Sequence, residues 1–290
     1  MVFKTILAIV LVWCWSVCGG SVGMSGEDKC LYDTILEDEQ YAHPDADIDS
    51  IVDQLRYVNK RWPNNTMGVY MADINEIYHP TILMAMEYLS NVTCVKFVNS
   101  TPGVPEVVLK VGLGCGSFVG YRGIPKQSLD MYDTCFLTMG VVMHELMHAT
   151  GLYHHHSRPD RDEYIFVNES NIQQDSLHNY RKYAKGHGLL TTMGLPYDYQ
   201  SILHYPAFGF PKDDKYPVIT VIRDFPISPG QRVSPTRIDI AGINRYYECW
   251  DHYLGDDIPG AMPYKEWHSN YMMYFKPQYN KILSSDEMIC

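Results

Sequence analysis

Residues 138–162 read TMGVVMHELMHATGLYHHHSRPDRD, and this run constrains the chain more than any other. His144 and His148 are four positions apart. On an α-helix such a pair stacks on one face, so two imidazoles can share one metal ion. Imidazole nitrogen is a good donor for zinc. Glu145 is offset by one residue, beside the metal but out of its ligand set, where a general base for an activated water belongs. Gly151 can adopt positive φ, end the helix and turn the chain back. The turn presents His154 as a third ligand. Three protein ligands leave a fourth position for water, the layout of a catalytic rather than a closed structural zinc site. A bare HExxH would be weak, since a satisfied pair of core histidines has the same spacing. The full H-E-x-x-H-x-x-G-x-x-H fixes many more positions. The spacing from Gly151 selects His154 and leaves His155 and His156 as bystanders.

The longer run HELMHATGLYHHHSRPDRDEYIFVNESNI resembles the astacin family of metzincin zinc endopeptidases, with Arg158, Asp160, Arg161, Asp162 and Tyr164 all matching. A second stretch, Tyr197 to Tyr205, is similar to the family's S-I-M-H-Y turn beneath the metal. Arg61-Trp62-Pro63-Asn64 resembles its domain opening. The resemblance covers about residues 55–250. It implies an α+β, metzincin-type domain with two subdomains. An N-terminal half would carry a twisted sheet and long helices, a C-terminal half would be mostly irregular, and the cleft would lie between them. It implies one Zn2+ per subunit, held by His144, His148 and His154, with Glu145 as base. Tyr205 would be a resting-state ligand and an oxyanion donor. The implied activity is endopeptidase cleavage of protein or peptide substrates. Two positions depart from the pattern. His155 stands where the family has glutamate, and Leu203 where it has methionine. A non-catalytic relative that keeps the fold for binding is the alternative reading. A volume-conserving exchange at 203 costs little, under roughly 1.5 kcal/mol.

Length and charge bound the rest. The chain has 290 residues and a formal net charge of -11, with no basic patch to suit nucleic acid. Lys4, the apolar run Ile6–Trp13 and the small residues Ser16, Gly19 and Gly20 form a signal peptide over 1–20. The run is too short to span a bilayer comfortably. The expectation is therefore a secreted, extracellular protein without stable membrane association. Export makes cysteines readable as disulfides. Beyond the signal there are Cys30, Cys94, Cys115, Cys135, Cys249 and Cys290. Sequence alone does not pair them. The family resemblance implies Cys94–Cys249 and Cys115–Cys135, and leaves Cys30 and Cys290 open. Asn64, Asn91, Asn99 and Asn168 head N-x-S/T acceptor sites for glycan.

Residues 21–56 are acidic and thinly apolar, as in a propeptide. By resemblance, an aspartate there would block the zinc. Asp47 is the candidate, with Asp45 and Asp49 as rivals. Arg56 and Lys60-Arg61 are sites at which an activating protease could release the domain, expected over 57–250. Within it, strands are expected at Thr66–Ala72, Cys94–Val98 and Glu106–Val111. Helices are expected at 80–90, at 138–150, over Asn171–Tyr183, and after Ser234-Pro235, with Ser234 as N-cap. Arg158 to Asp162 is expected to form an internal ion-pair network. The tail, 251–290, shows no clear periodicity.

Overall fold

The structure is a computed structural model, and it describes residues 33–35, 61–71, 73–112, 114–182, 192–223 and 225–274. Asp45, Asp47, Asp49, Arg56, Lys60, Cys30 and Cys290 lie outside the described residues, as does the signal segment.

Short strands, several of them buried at consecutive positions as parallel strands are, build one six-stranded sheet among the described residues. Its strands are β1 (Asp33–Ile35), β2 (Thr66–Tyr70), β3 (Lys96–Asn99), β4 (Glu106–Val111), β5 (Cys115–Ser117) and β6 (Lys126–Met131). The order is β1-β5-β6-β4-β2-β3. All neighbours are parallel except β5 and β6. Parallel strands need crossovers, and α1 (His79–Val92) supplies the one from β2 to β3. Pro80 opens α1, and Ile82, Ala85, Met86 and Leu89 form its buried stripe.

Helix α2 (Met139–Thr150) carries the metal-binding motif, and ten of its twelve residues are buried. Its last carbonyls are orphans that need donors. The indole N–H of Trp62 donates to the Ala149 carbonyl at 2.6 Å, and the Tyr247 hydroxyl to that of Thr150 at 2.8 Å. The Gly120 and Gly151 amides both donate to the His148 carbonyl. Gly151 has φ 117°, and a Cβ there would lie 2.6 Å from the Tyr246 ring. The Arg-Trp-Pro opening thus locks the far end of the motif helix.

The C-terminal half has little regular structure. It contains a two-stranded antiparallel sheet of β7 (Ile165–Val167) and β8 (Ile219–Val221), and helix α3 (Arg237–Tyr246). The expected helix over Asn171–Tyr183 is instead two 3-10 segments, Glu169–Asn171 and Gln174–Tyr180. Polar side chains there bond elsewhere: the Asn171 amide donates to the Asp213 and Tyr216 carbonyls. The N-cap of α3 is Thr236 rather than Ser234, and it forms a capping box with Asp239. Disulfides join Cys94 to Cys249 and Cys115 to Cys135.

Residues 251–274 continue the same core. Helix α4 (Tyr264–Tyr274) buries Tyr264, Trp267 and Tyr271 against it. Arg245, wholly covered, donates to the carbonyls of Met193, Leu254 and Met262, and so ties that segment to α3.

Candidate metal centre

Helix α2 delivers His144 and His148, and the Gly151 turn delivers His154. All three are buried. His148 Nε2 is 2.9 Å from His144 Nε2 and 3.2 Å from His154 Nε2. The opposite ring nitrogens are engaged. His144 Nδ1 donates to the Ile202 carbonyl at 2.6 Å, and His148 Nδ1 to that of Leu152 at 2.7 Å. Those bonds fix the tautomers, so the facing Nε2 atoms of His144 and His148 present lone pairs. Convergent lone pairs repel unless a cation lies between them. Tetrahedral zinc with Zn–N of about 2.0–2.1 Å sets its nitrogens about 3.3 Å apart. The observed spacing fits that group.

Ile202, whose carbonyl holds His144, is itself fixed through its amide. Asp239 accepts from the Ile202 amide at 2.9 Å and from the Ser201 hydroxyl at 2.6 Å. Burial, with Asp198 nearby, pushes the Asp239 carboxyl up to about 6. Leu203 is buried in the same turn. His204 is buried between two partners: its Nδ1 donates to the Tyr205 carbonyl, and its Nε2 accepts from the Tyr197 hydroxyl. Burial pushes its pKa down to about 3, so it is a neutral strut.

Glu145 lies fully buried on α2, between the two helical histidines in sequence. Tyr205 is also buried, its ring centroid 4.3 Å from that of His154. His156 is no bystander. Its ring stacks on Tyr205 at 4.1 Å, and its Nε2 meets the Asn179 carbonyl at 3.0 Å. Adjacency to the third ligand could have flagged it, but only the fold shows which way it faces.

His155 turns away from the metal. Its Nε2 accepts from the Asp198 amide at 2.9 Å, and burial together with Arg158 drives its pKa well down. A neutral imidazole therefore stands at the departure from the family pattern. Arg158 is buried too. It forms a two-bond pair with Asp160 and donates to the Leu195 and Pro196 carbonyls. Arg161 donates to the His156 and Tyr180 carbonyls and pairs with Asp162. The charged run after His154 is internal only in part: both guanidiniums are buried on backbone carbonyls, while Asp162 faces solvent and Asp160 is half-buried. Of the glycan acceptors, Asn64, Asn91 and Asn99 are exposed, while Asn168 is half-buried and accepts from the Ser170 hydroxyl.

Comparison with known proteins agrees with this geometry. The family model Astacin, which describes a peptidase family, matches residues 54–248. Zinc metalloproteinase nas-14 of Caenorhabditis elegans is 31% identical over 220 residues, covering 74% of this chain and 42% of its own length. Low choriolytic enzyme of Oryzias latipes is 35% identical over 199 residues, covering 65% of this chain and 69% of its own. The solved structure of high choriolytic enzyme 1, a hatching enzyme zinc-protease from the same fish, superposes with TM-score 0.60 at 31% identity. It covers 66% of this chain and 96% of that one. The chain spans less than half the length of nas-14 and of the similar nas-25. With its motif helix, α+β architecture and three-histidine zinc site in place, the chain belongs to the astacin family of zinc metallopeptidases.

Proposed function

We propose that the protein is a zinc-dependent endopeptidase, exported as a latent precursor. The observation that carries this reading is the convergence of three buried imidazole nitrogens, with the outer atoms of His144 and His148 already committed to backbone carbonyls. His144, His148 and His154 would hold the zinc. When bound, that ion supplies Lewis-acid polarisation of the scissile carbonyl and makes water acidic near neutral pH. Glu145 takes the proton of the attacking water and later gives it to the leaving amine. Tyr205 donates its hydroxyl to the oxyanion that develops.

Latency is supported by β1. It comes from the acidic segment taken as propeptide, and it pairs with the outer edge of β5, the strand beside α2. An edge of this kind can accept an extended peptide by strand addition. Activation by a second protease would clear it. Asp47 remains the proposed blocking residue. Arg61 is a poor cleavage site, because it pairs with Glu248 at 2.9 Å and lies over the Tyr246 ring. Export is supported by the two disulfides, and no described helix is long and apolar enough to cross a membrane. Asn64, Asn91, Asn99 and Asn168 are proposed glycan sites. We take residues 1–20 as signal, 21–56 as propeptide and 57–250 as the peptidase unit, with 251–290 as a C-terminal extension whose helix α4 packs on the same core.

The test is casein cleavage by the proteolytically processed protein, with zinc measured in the same sample. One zinc per chain, loss of cleavage with a chelator and recovery on adding zinc are expected. A correctly folded, processed sample that holds zinc and cleaves nothing would favour the binding-protein alternative.

A further inference from the structure

Tyr205 sits on a turn, and turns do not aim side chains unless something holds them. The segment Pro229–Ser234 lies against this one. A Cβ on Gly230 (φ 90°) would fall 2.4 Å from the Pro206 backbone and 2.8 Å from the Tyr205 carbonyl carbon. The other side of the segment meets the motif helix. A Cβ on Gly140, in the first turn of α2, would fall 1.9 Å from the Arg232 carbonyl oxygen. Two glycines therefore let one strap wedge between the helix that carries the ligands and the turn that carries the tyrosine.

The strap is fastened by side chains. Arg232 Nη1 donates to the His204 carbonyl at 3.0 Å and to the Gln231 carbonyl at 3.0 Å. The Gln231 amide donates to the Gln200 and Ser234 carbonyls, at 2.7 and 2.8 Å. Gln200 donates back to the Ser228 carbonyl. His204 is the residue before Tyr205, and its carbonyl belongs to the peptide that links them. A bond there fixes the plane from which the Tyr205 ring projects.

We propose that Arg232 is a positioning residue for Tyr205, acting through the His204 carbonyl, with Gly140 and Gly230 permitting the close approach. The inference rests on the peptidase reading for its kinetic consequence, but its structural part does not. Arg232 acts in this role through the backbone, not through the reacting atoms. It holds the peptide that aims the oxyanion donor.

The test compares Arg232→Ala, Arg232→Lys, Tyr205→Phe and the double variant Arg232→Ala/Tyr205→Phe in the full, processed, zinc-loaded chain. Arg232→Ala is expected to lower kcat about 10- to 100-fold with KM and zinc content unchanged, as losses of supporting hydrogen bonds do at metal sites. Arg232→Lys should recover part of the loss. In the Tyr205→Phe background, Arg232→Ala should add little, because the group it aims is gone. Equal loss in both backgrounds overturns the proposal, as does a rise in KM alone.

A second measurement needs no turnover. In fluorotyrosine-labelled protein without substrate, the Tyr205 19F resonance is assigned as the line missing from Tyr205→Phe. That line should shift or broaden in Arg232→Ala and return toward its place in Arg232→Lys. An unchanged line in Arg232→Ala overturns the proposal even if the chain has no peptidase activity. If instead the line moves as expected in a chain that cleaves nothing, the peptidase reading fails and the positioning role stands. If Arg232→Ala does not fold, Arg232→Lys and Arg232→Met carry the same comparisons.

Discussion

In the proposed mechanism Glu145 and Tyr205 have different roles, and they should fail differently. Glu145→Ala removes the proton carrier and leaves the three imidazoles in place. Cleavage should fall by about 10²- to 10⁴-fold while one zinc per chain is retained. Parallel metal analysis and casein assays check this. Loss of zinc together with activity would instead make Glu145 a structural support. Tyr205→Phe removes the proposed oxyanion donor, for which a kcat loss of about 10²- to 10³-fold is expected. KM for a peptide substrate should stay nearly constant, since the donor acts on charge that develops only in the transition state. A changed KM at constant kcat would reassign Tyr205 to ground-state binding.

Helix α2 performs its task only because its ends are fixed. Trp62, Gly120 and Tyr247 satisfy its last carbonyls, and Gly151 turns the chain toward His154. Gly151→Ala should destabilise the protein by roughly 1–3 kcal/mol, because φ 117° is strained for any side chain. The contact with Tyr246 adds to that strain. It should also weaken zinc retention, since His154 depends on that turn. Chemical denaturation and competition with a zinc chelator measure the two effects separately. Unchanged values for both would mean that the turn is tolerant and not the device that brings in the third ligand.

For the whole molecule, two features hold parts distant in sequence. The Cys94–Cys249 disulfide closes a loop across a separation of 155 residues. Replacing both cysteines should cost about 2–5 kcal/mol of stability, read from denaturation midpoints. Helix α4 lies outside the family match yet buries Trp267 almost completely. Trp267→Ala should therefore cost about 3–5 kcal/mol in the same cooperative transition that reports on α2. A separate early transition, or no change, would show that α4 is an independent appendage.

The sequence by itself determined the metal site's donors. An i, i+4 histidine pair, an intervening glutamate and a glycine turn have one geometric outcome on a helix. Local pattern likewise placed α1 by its apolar stripe, and α2 and β4 by their apolar runs, because such patterns are a property of the segment alone. Other features had no local signal. The strands β7 and β8 pair across a long stretch of chain. The helix expected over Asn171–Tyr183 gave way to 3-10 turns because its polar side chains found distant carbonyls. Helix α4 buries Tyr264, Trp267 and Tyr271 at i, i+3 and i+7, a stripe the sequence hid because His268, Met272 and Met273 blur the contrast between its faces. Only the tertiary structure put His156 under Tyr205, turned His155 away, and brought the Arg232 strap between helix and turn. Spacing along the chain fixes which groups one element can present, whereas long-range packing fixes what holds those groups in place.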